Sequence, residues 1–304
     1  MASLTAVVPA TNRPQTLARC VGAIERAADP PDELVVVEQP AAAGPAAARN
    51  LGARRATGEL ICFVDADVEV HPDAFARVRA AFAADPELVG VFGSYDDEPP
   101  NDGAVSAFRN LLHHHVLLSA PGPASTFWAG LGALRRDAFL ASGGFDERKY
   151  PESSIEDIEL GMRLSADGAR IVLDPSVQGR HLKHWTLGSM VATDFSRRGV
   201  PWVELLLRSG GGRDRGALNL GWRHRASAAV AVLGALAAAA RRPAAALAAL
   251  ATLAWLNRDF YGLLARRRGP RVAALGLGLH ALHHVTSAAA VPAGVAAYLR
   301  GRRA

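Results

Sequence analysis

The sequence predicts a doubly wound α/β domain followed by hydrophobic helices that attach to a membrane. Short apolar runs alternate with helical patterns over the first half of the chain, as in βαβ units. One of these runs leads directly into Asp65 and Asp67, and from residue 226 onward the chain is mostly apolar. We therefore predict an α/β domain, an amphipathic interfacial segment and a membrane-associated helical region, at residues 1–185, 186–225 and 226–304.

The predicted strands are short apolar runs, and a helical pattern follows most of them. The strands are residues 4–9, 34–38, 60–64, 88–92, 129–134, 171–173 and 176–180. The helices are residues 13–28, 45–57, 72–84, 104–118 and 154–166. Pro14 stands in a first helical turn, where proline is tolerated, and Gly58 follows a helix end. This alternation predicts a parallel sheet with helices on both faces.

The end of the chain carries three apolar runs. Residues 226–240 and 244–256 are each too short to span a bilayer, which takes about 20 apolar residues. Arg241-Arg242-Pro243 separates these two runs and is predicted to form the tip of a hairpin, because arginine is costly at the bilayer centre. Residues 272–299 are long enough to span. A soluble bundle of alanine-rich helices is the alternative interpretation.

Composition and charge restrict the class of protein. The net charge is +5, and its basic clusters lie beside apolar stretches, which favours a membrane surface over a nucleic acid. The two cysteines, Cys20 and Cys62, have no metal or redox spacing and cannot staple a secreted scaffold, so a reducing compartment is expected. No charged and apolar leader opens the chain, so we expect no cleaved signal peptide.

The strongest local signal is the pair of acids at Asp65 and Asp67. In a parallel sheet, ligands bind at the carboxyl ends of the strands, where these side chains are expected. Two carboxylates one residue apart can bind a hard cation such as Mg²⁺ or Mn²⁺, which in turn can hold a diphosphate. The alternative is a polar turn before the next helix.

Five short motifs in a fixed order resemble those of glycosyltransferase family 2, the inverting enzymes with the GT-A fold, and in particular its membrane-attached bacterial members. The motifs read VVPATNRP at 7–14, GPAAARNLG at 44–52, FVDADV at 63–68, GGFDE at 143–147 and EDIELGMRL at 156–164. The resemblance covers residues 4–185. It implies a doubly wound domain like those of nucleotide-diphospho-sugar transferases, and a divalent cation, Mn²⁺ or Mg²⁺, as cofactor.

The resemblance also assigns roles to residues. It implies that the nucleotide part of the donor is bound by Pro9, Thr11, Arg13, Glu38, Arg49 and Asp65. Its metal ligands would be Asp65, Asp67 and His181. Glu38 stands where the family usually has an aspartate, and Arg49 has an alternative role as a surface helix residue. His184 is the alternative to His181 as a ligand.

Asp157 is the predicted catalytic residue. The Glu156-Asp157 pair resembles the family's ED motif, whose aspartate is the general base that takes the proton of the acceptor hydroxyl. The alternative is an acidic residue that stabilises the dipole of the helix that begins here.

The predicted function is metal-dependent inverting transfer of a sugar from a nucleotide-sugar donor to a membrane-associated acceptor, such as a polyprenyl-linked one, or to a glycan. The expected location is the bacterial inner membrane, with the catalytic domain in the cytoplasm. A nucleotidyltransferase is the second enzyme hypothesis, but residues 11–14 lack its glycine-rich basic signature. The third hypothesis is a membrane-anchored nucleotide-sugar-binding or scaffold protein without turnover. The QxxRW motif of processive members is absent from residues 194–202, which argues against a polymerase.

Overall fold

The structure is a computed structural model that describes residues 2–209 and 221–301. Within these ranges the chain forms two compact units. The first comprises residues 2–100 and 116–183, and the second residues 101–115, 184–209 and 221–301. Residues 210–220 of the predicted interfacial segment and 302–304 of the predicted membrane region lie outside the described residues. The predicted three-segment division stays a prediction.

A mixed β-sheet forms the centre of the first unit. Its strands are β1 (Leu4–Pro9), β2 (Glu33–Val37), β3 (Leu60–Val64), β4 (Val68–Val70), β5 (Leu88–Tyr95), β6 (Gly122–Ala124), β7 (Leu131–Arg135) and β8 (Arg170–His181). Within the described residues their order is β2-β1-β3-β7-β5-β8-β4, and β6 also pairs with β8. The helices of this unit are α1 (Leu17–Glu25), α2 (Pro45–Arg55), α3 (Ala74–Ala84), α5 (Arg136–Ala141) and α6 (Glu156–Ala166).

The predicted α/β sheet is present, but the prediction that it is parallel throughout is wrong. Strands β1, β2 and β3 run parallel, whereas β7 lies antiparallel between β3 and β5. Strands β4 and β6 are antiparallel to β8. A short apolar run indicates a buried strand but does not give the direction of that strand. The antiparallel position of β7 between β3 and β5 was therefore not predictable from periodicity.

Both faces of the sheet are covered by apolar side chains. Successive residues of a strand point to opposite faces, and Ala6 and Val8 lie in one core cluster while Val7 lies in the other. On the second face three aromatic rings pack together, with Phe63 5.2 Å from both Phe139 and Phe145 between ring centroids. This double-sided core holds the strand ends, and the loops that follow them, in fixed positions.

The second unit is helical. It contains residues 104–115 of α4 (Ala104–Leu118), followed by α7 (Leu187–Ala192), a π-helical segment (Thr193–Gly199), α8 (Val200–Arg208), α9 (Trp222–Ala239), α10 (Pro243–Leu256), α11 (Arg258–Arg268) and α12 (Pro270–Gly301). Helices α9 and α10 pack against each other as a hairpin with Arg241 and Arg242 at its turn.

The predicted membrane-spanning helices are a second correction to the fold. Among the described helices, none combines enough length with enough apolar character to cross a bilayer. At 1.5 Å per residue, the 14 residues of α10 reach only about 21 Å of a hydrocarbon core roughly 30 Å thick. The longer α12 buries His280, His284 and Thr286, so it packs polar side chains within the helical unit.

Candidate active site

The carboxyl ends of three parallel strands bring predicted site residues to one edge of the sheet. Pro9 at the end of β1 is the register partner of Val37 at the end of β2, and the amide of Ala10 donates to the Val37 carbonyl at 2.9 Å. Glu38 follows β2 directly, and Asp65 follows β3. In sheets of this kind ligands bind beyond the carboxyl ends of the strands.

The predicted nucleotide-binding residues on β1 and β2 form one connected rim. The Thr11 hydroxyl donates to the carbonyl of Ala43, and the amide of Ala42 donates to the Thr11 carbonyl at 3.2 Å. Arg13 and Glu38 are exposed at this rim, and Arg13 has a φ of 48°. The rim therefore presents side chains of both charges to solvent beside an apolar strand end.

The turn that carries Asp65 and Asp67 is held by hydrogen bonds from three elements. The Asp65 amide donates to the carbonyl of Gly130 at 3.0 Å. Thr16 donates its hydroxyl to the Ala66 carbonyl at 2.8 Å, and the amide of Leu182 donates to the Asp67 carbonyl at 2.8 Å. The backbone of both acids is thus fixed before any ligand binds.

Asp67 faces His181 at the end of β8. The His181 Nε2 and Asp67 Oδ2 atoms are 3.5 Å apart, and the imidazole stacks on the Tyr95 ring with centroids 4.0 Å apart. Burial raises the pKa of the Asp67 carboxyl, but the charge and hydrogen bond of His181 outweigh it, and the net pKa is lowered. This carboxylate is ionised at neutral pH.

The Asp67–His181 pair fits a divalent cation whose remaining ligands come from substrate and water. The described residues contain no group of three His, Cys, Asp or Glu side chains that could enclose a metal by themselves. Mg²⁺ sites of nucleotide-binding enzymes commonly use one or two carboxylates together with substrate phosphates, and imidazole suits Mn²⁺. The donor set present here is of that open kind.

Arg49 lies between two acids that are distant in sequence. Its Nη2 donates to Asp65 Oδ1 at 2.6 Å, and its Nη1 donates to Glu156 Oε1 at 2.9 Å. Arg49 is 4% exposed and Glu156 2% exposed. Burial raises the pKa of Asp65, Arg49 lowers it, and the net pKa is raised. The arginine is a charged link inside the site, where the sequence predicted a nucleotide contact or a surface residue.

Asp157 stands beside this link at the start of α6. Its Oδ2 accepts from the amide of Ala129 at 3.0 Å, and its Oδ1 from the amide of Ile158 at 2.8 Å. Burial and the neighbouring Glu156 raise the pKa of Asp157 to about 6, against the opposing charge of Arg49. Gly161 permits this approach of α6, because a Cβ there would lie 2.1 Å from the Phe127 amide nitrogen. A carboxyl with such a pKa is suited to proton transfer near neutral pH.

The structure therefore brings the predicted acids into one electrostatic neighbourhood. Burial and the charges of Asp67 and Glu156 raise the pKa of Asp65. Burial lowers the pKa of Arg49, but the charges of Asp65, Glu156 and Asp157 outweigh it and the net pKa is raised. His184 is exposed and belongs to the second unit, unlike His181.

The sequence assigned no role to three residues that contact the site: Tyr95, and Asn50 and Glu156, which it gave only as members of motifs. The available signal was Arg49, which stands among small residues in the first half of α2, because a buried charge there needs a partner.

Part of the chain is similar in sequence to a known protein family. The model of glycosyl transferase family 2 matches residues 23–141, which include Glu38, Arg49, Asp65 and Asp67. The O-antigen biosynthesis protein RfbC of Myxococcus xanthus is 32% identical over 155 residues. That alignment covers 45% of this chain and 12% of RfbC, so the chain spans only a small part of the length of this relative.

A solved structure shares the fold. It is the mannosyltransferase PcManGT from Pyrobaculum calidifontis in complex with GDP-Man and Mn²⁺, which aligns over 95% of this chain and 87% of its own with a TM-score of 0.53 and 18% identity. The mixed sheet with an acidic carboxyl edge is thus of the GT-A type. Residues 23–141 therefore match glycosyl transferase family 2, which is a family of enzymes.

Proposed function

We propose that the chain is a divalent-metal-dependent, inverting glycosyltransferase that moves a sugar from a nucleotide-sugar donor to an acceptor hydroxyl. The observation that carries this proposal is the convergence of Asp65, Asp67, Asp157 and His181 around the carboxyl edge of the sheet. The RfbC and PcManGT matches support the same class of reaction, and the second was solved with a nucleotide sugar and Mn²⁺.

The donor would lie along the edge formed by β1, β2 and β3. Pro9, Thr11 and Arg13 would contact its nucleotide from β1, and Glu38 from β2. Asp67 and His181, with Asp65 beside them, would hold the cation, which supplies positive charge to offset that of the leaving diphosphate. The fixed backbone of the acidic turn keeps these oxygens in place, so little reorganisation is needed when the donor binds.

Asp157 would serve as the general base. In an inverting transfer the acceptor oxygen attacks the anomeric carbon on the face opposite the leaving group, and its proton must be accepted as the new bond forms. With a pKa of about 6, Asp157 is mostly ionised at pH 7 and is basic enough to accept that proton. The amide of Ala129 holds one of its oxygens and so fixes the direction of the carboxylate.

The test is a transfer assay of the full chain across nucleotide sugars, with Mn²⁺ or Mg²⁺ and with a chelator. We expect metal-dependent release of nucleoside diphosphate, a product of inverted anomeric configuration by NMR, and a loss of about 10²–10⁴-fold in kcat for Asp157→Asn. Retained configuration would contradict the inverting mechanism. Donor binding without turnover in the wild type, over a broad acceptor panel, would favour a nucleotide-sugar-binding protein.

The acceptor and location form the second part of the proposal. We propose that the acceptor is lipid-linked and that the α9–α10 hairpin lies on the cytoplasmic face of the bacterial inner membrane. Large apolar side chains of this hairpin are exposed, with Leu233, Leu236 and Leu247 each more than 60% accessible. Arg241 and Arg242 are exposed at the turn between them. Apolar side chains beside arginines match the boundary between acyl chains and anionic headgroups, where a helix lies in the plane of the interface.

Vesicle sedimentation tests this surface. The full chain is expected to bind phosphatidylglycerol vesicles more strongly than phosphatidylcholine vesicles, and Leu236→Glu with Leu247→Glu should remove most of that binding. Leu140→Glu is the matched control, since Leu140 is an exposed leucine of the first unit at 38% accessibility. Unchanged binding of the double variant, or a dimer in solution that the same substitutions abolish, would refute a lipid-facing hairpin.

A further inference from the structure

Arg49 is buried in a helix that otherwise contributes small side chains to the core. Besides Arg49 and Asn50, the buried residues of α2 are Ala46, Ala48, Gly52 and Ala53. A guanidinium stays charged at any physiological pH, so it is stable in such a place only when acids and hydrogen bonds compensate it. Arg49 is the one buried charged residue of α2, and it adjoins the proposed active site.

The two acids that compensate Arg49 belong to the two parts of the proposed catalytic apparatus. Asp65 opens the turn that presents Asp67, and Glu156 immediately precedes Asp157. Arg49 is 16 residues from Asp65 and 107 residues from Glu156 in sequence. One fork-shaped side chain thus joins a strand end of the donor-binding edge to the helix that carries the proposed base.

Other contacts fix each end of this link. The second oxygen of Glu156 accepts from the amide of Ser154 at 2.8 Å. The guanidinium of Arg49 lies over the Phe145 ring, 5.6 Å from its centroid. Asn50 holds the backbone of Phe145 from both sides, since its Nδ2 donates to the Phe145 carbonyl and its Oδ1 accepts from the Phe145 amide, each at 2.9 Å. These contacts restrain the guanidinium of Arg49 between its two acids and the Phe145 ring.

We propose that Arg49 is a positioning residue that holds Asp65 and Glu156 at a fixed separation and thereby places the base Asp157 relative to the metal-binding turn. This role rests on the proposed function and replaces the nucleotide contact that the resemblance implies for Arg49. Both terminal nitrogens are engaged by protein carboxylates, and the side chain is almost fully enclosed. Lysine keeps the charge but cannot bridge two acids in a fixed geometry, so it is a selective probe of the link.

The experiment compares Arg49→Lys with Arg79→Lys. Arg79 is a second buried arginine of the first unit, 8% exposed, and it also joins two acids, Asp29 at 3.2 Å and Asp32 at 2.7 Å. Asp32 precedes β2, whereas the proposed site follows the strand ends, and the side chains of Asp29 and Asp32 are 40% and 57% exposed. Arg79→Lys therefore reports the cost of weakening an arginine link away from the site. Three readouts apply to both variants: kcat and KM for the donor, Mn²⁺ affinity of the free enzyme by electron paramagnetic resonance, and Tm.

We expect Arg49→Lys to lower kcat by roughly 10²-fold, the effect of a misplacement of about 1 Å, while the KM for the donor changes little. Arg79→Lys should lower Tm with kcat unchanged. Glu156→Gln should lower kcat as Arg49→Lys does. The double variant should lose no more activity than the less active of the two single variants, because both substitutions break the same link.

Two outcomes would overturn the proposal. A raised donor KM with unchanged kcat in Arg49→Lys would mean that the arginine binds the nucleotide in the ground state. Additive losses in the double variant would mean that the two residues act separately. The proposed function is judged independently by the wild-type assay and Asp157→Asn, so Arg49 can fail this test while transfer activity stands.

Discussion

The carboxyl edge of the sheet and the interior of the helical unit both bury charged groups, but they differ in how those charges are balanced. At the sheet edge, acids outnumber their basic partners, and the pKa values of Asp65 and Asp157 are raised. In the helical unit Asp194 has two basic partners, Arg109 at 2.7 Å and His283 at 2.7 Å. Burial raises the pKa of Asp194, but these partners outweigh it and the net pKa is lowered.

The contrast separates a poised site from a structural ion pair. A carboxylate whose pKa is raised has been placed where its charge is unfavourable, which is useful for proton transfer and costly for folding. A carboxylate whose pKa is lowered is stabilised by the fold around it. At the sheet edge Asp67 also has a lowered pKa, because it faces His181, so the contrast applies to Asp65 and Asp157 against Asp194.

The largest expected effect comes from removing the charge of each acid. Asp194→Asn leaves Arg109 and His283 without their buried counter-charge and should lower the free energy of unfolding by about 3–5 kcal/mol. Asp157→Asn removes an unfavourable charge and should leave stability unchanged or raised at pH 7. Chemical denaturation of both variants measures the difference. If Asp157→Asn were the more destabilising of the two, the distinction between poised and structural acids would be lost.

The second prediction concerns the pH dependence of transfer. Because the base must be ionised and the pKa of Asp157 is about 6, kcat/KM should fall about tenfold per pH unit below that value. The ionised form is present above the pKa, so activity is lost as pH falls. A profile measured from pH 5 to 8 at saturating Mn²⁺ tests this. A limb centred near pH 4 would show that the base is an acid with an ordinary pKa.

The strands of the first unit were largely predictable, because each is a local apolar run. Residues 60–64 were predicted as a strand and form β3, and the predicted start of β5 is also observed. Strand β4 was missed, because its three residues are too few to establish a period and it forms by pairing with the distant β8. The direction of β7 and the packing of α12 were equally set by tertiary contacts.

The candidate site shows the same division between local and distant information. Two acids that directly follow an apolar strand are expected at the sheet edge, so the position of Asp65 and Asp67 was predictable from the sequence. The link from Arg49 to Glu156 spans 107 residues, and the stack of Tyr95 on His181 joins two strands. Such contacts depend on the order of the strands in the folded sheet, so no spacing of residues in the sequence predicts them.

Tyr95 offers a smaller and more selective perturbation of the sheet edge. Its ring stacks on His181 with an interplanar angle of 6° and meets the Trp128 ring edge-on at 4.7 Å between centroids. Tyr95→Leu should loosen the imidazole and weaken Mn²⁺ binding about tenfold, the lower end of the effect of a residue that orients a metal ligand. Tyr95→Phe keeps the stacked ring and should restore affinity. Equal losses in both variants would show that the stacking does not orient the ligand.

The smallest expected effect is the pH dependence of stability, which differs between the helical unit and the sheet. In the helical unit, burial and the neighbouring His283 and His224 lower the pKa of His284 to about 3. Its unfolded form takes up protons from about pH 6.5 downward while the folded form does not, so this group makes the fold less stable as pH falls. Asp157 acts in the opposite sense, because its raised pKa lets the folded state hold a proton between about pH 4 and 6.

Acid should therefore weaken the helical unit before it weakens the sheet. Between pH 6.5 and 5.5 the His284 contribution amounts to about 1 kcal/mol, and His284→Leu should remove it, since Leu does not titrate. Hydrogen exchange measured separately for peptides of the two units at pH 5.5 and 7 tests this. Faster exchange at pH 5.5 is expected in α12 of the wild type, after correction for the intrinsic rate, and a smaller change in His284→Leu. A larger increase in exchange at pH 5.5 in the strands than in α12 would show that acid destabilises the sheet more than the helical unit, against this prediction.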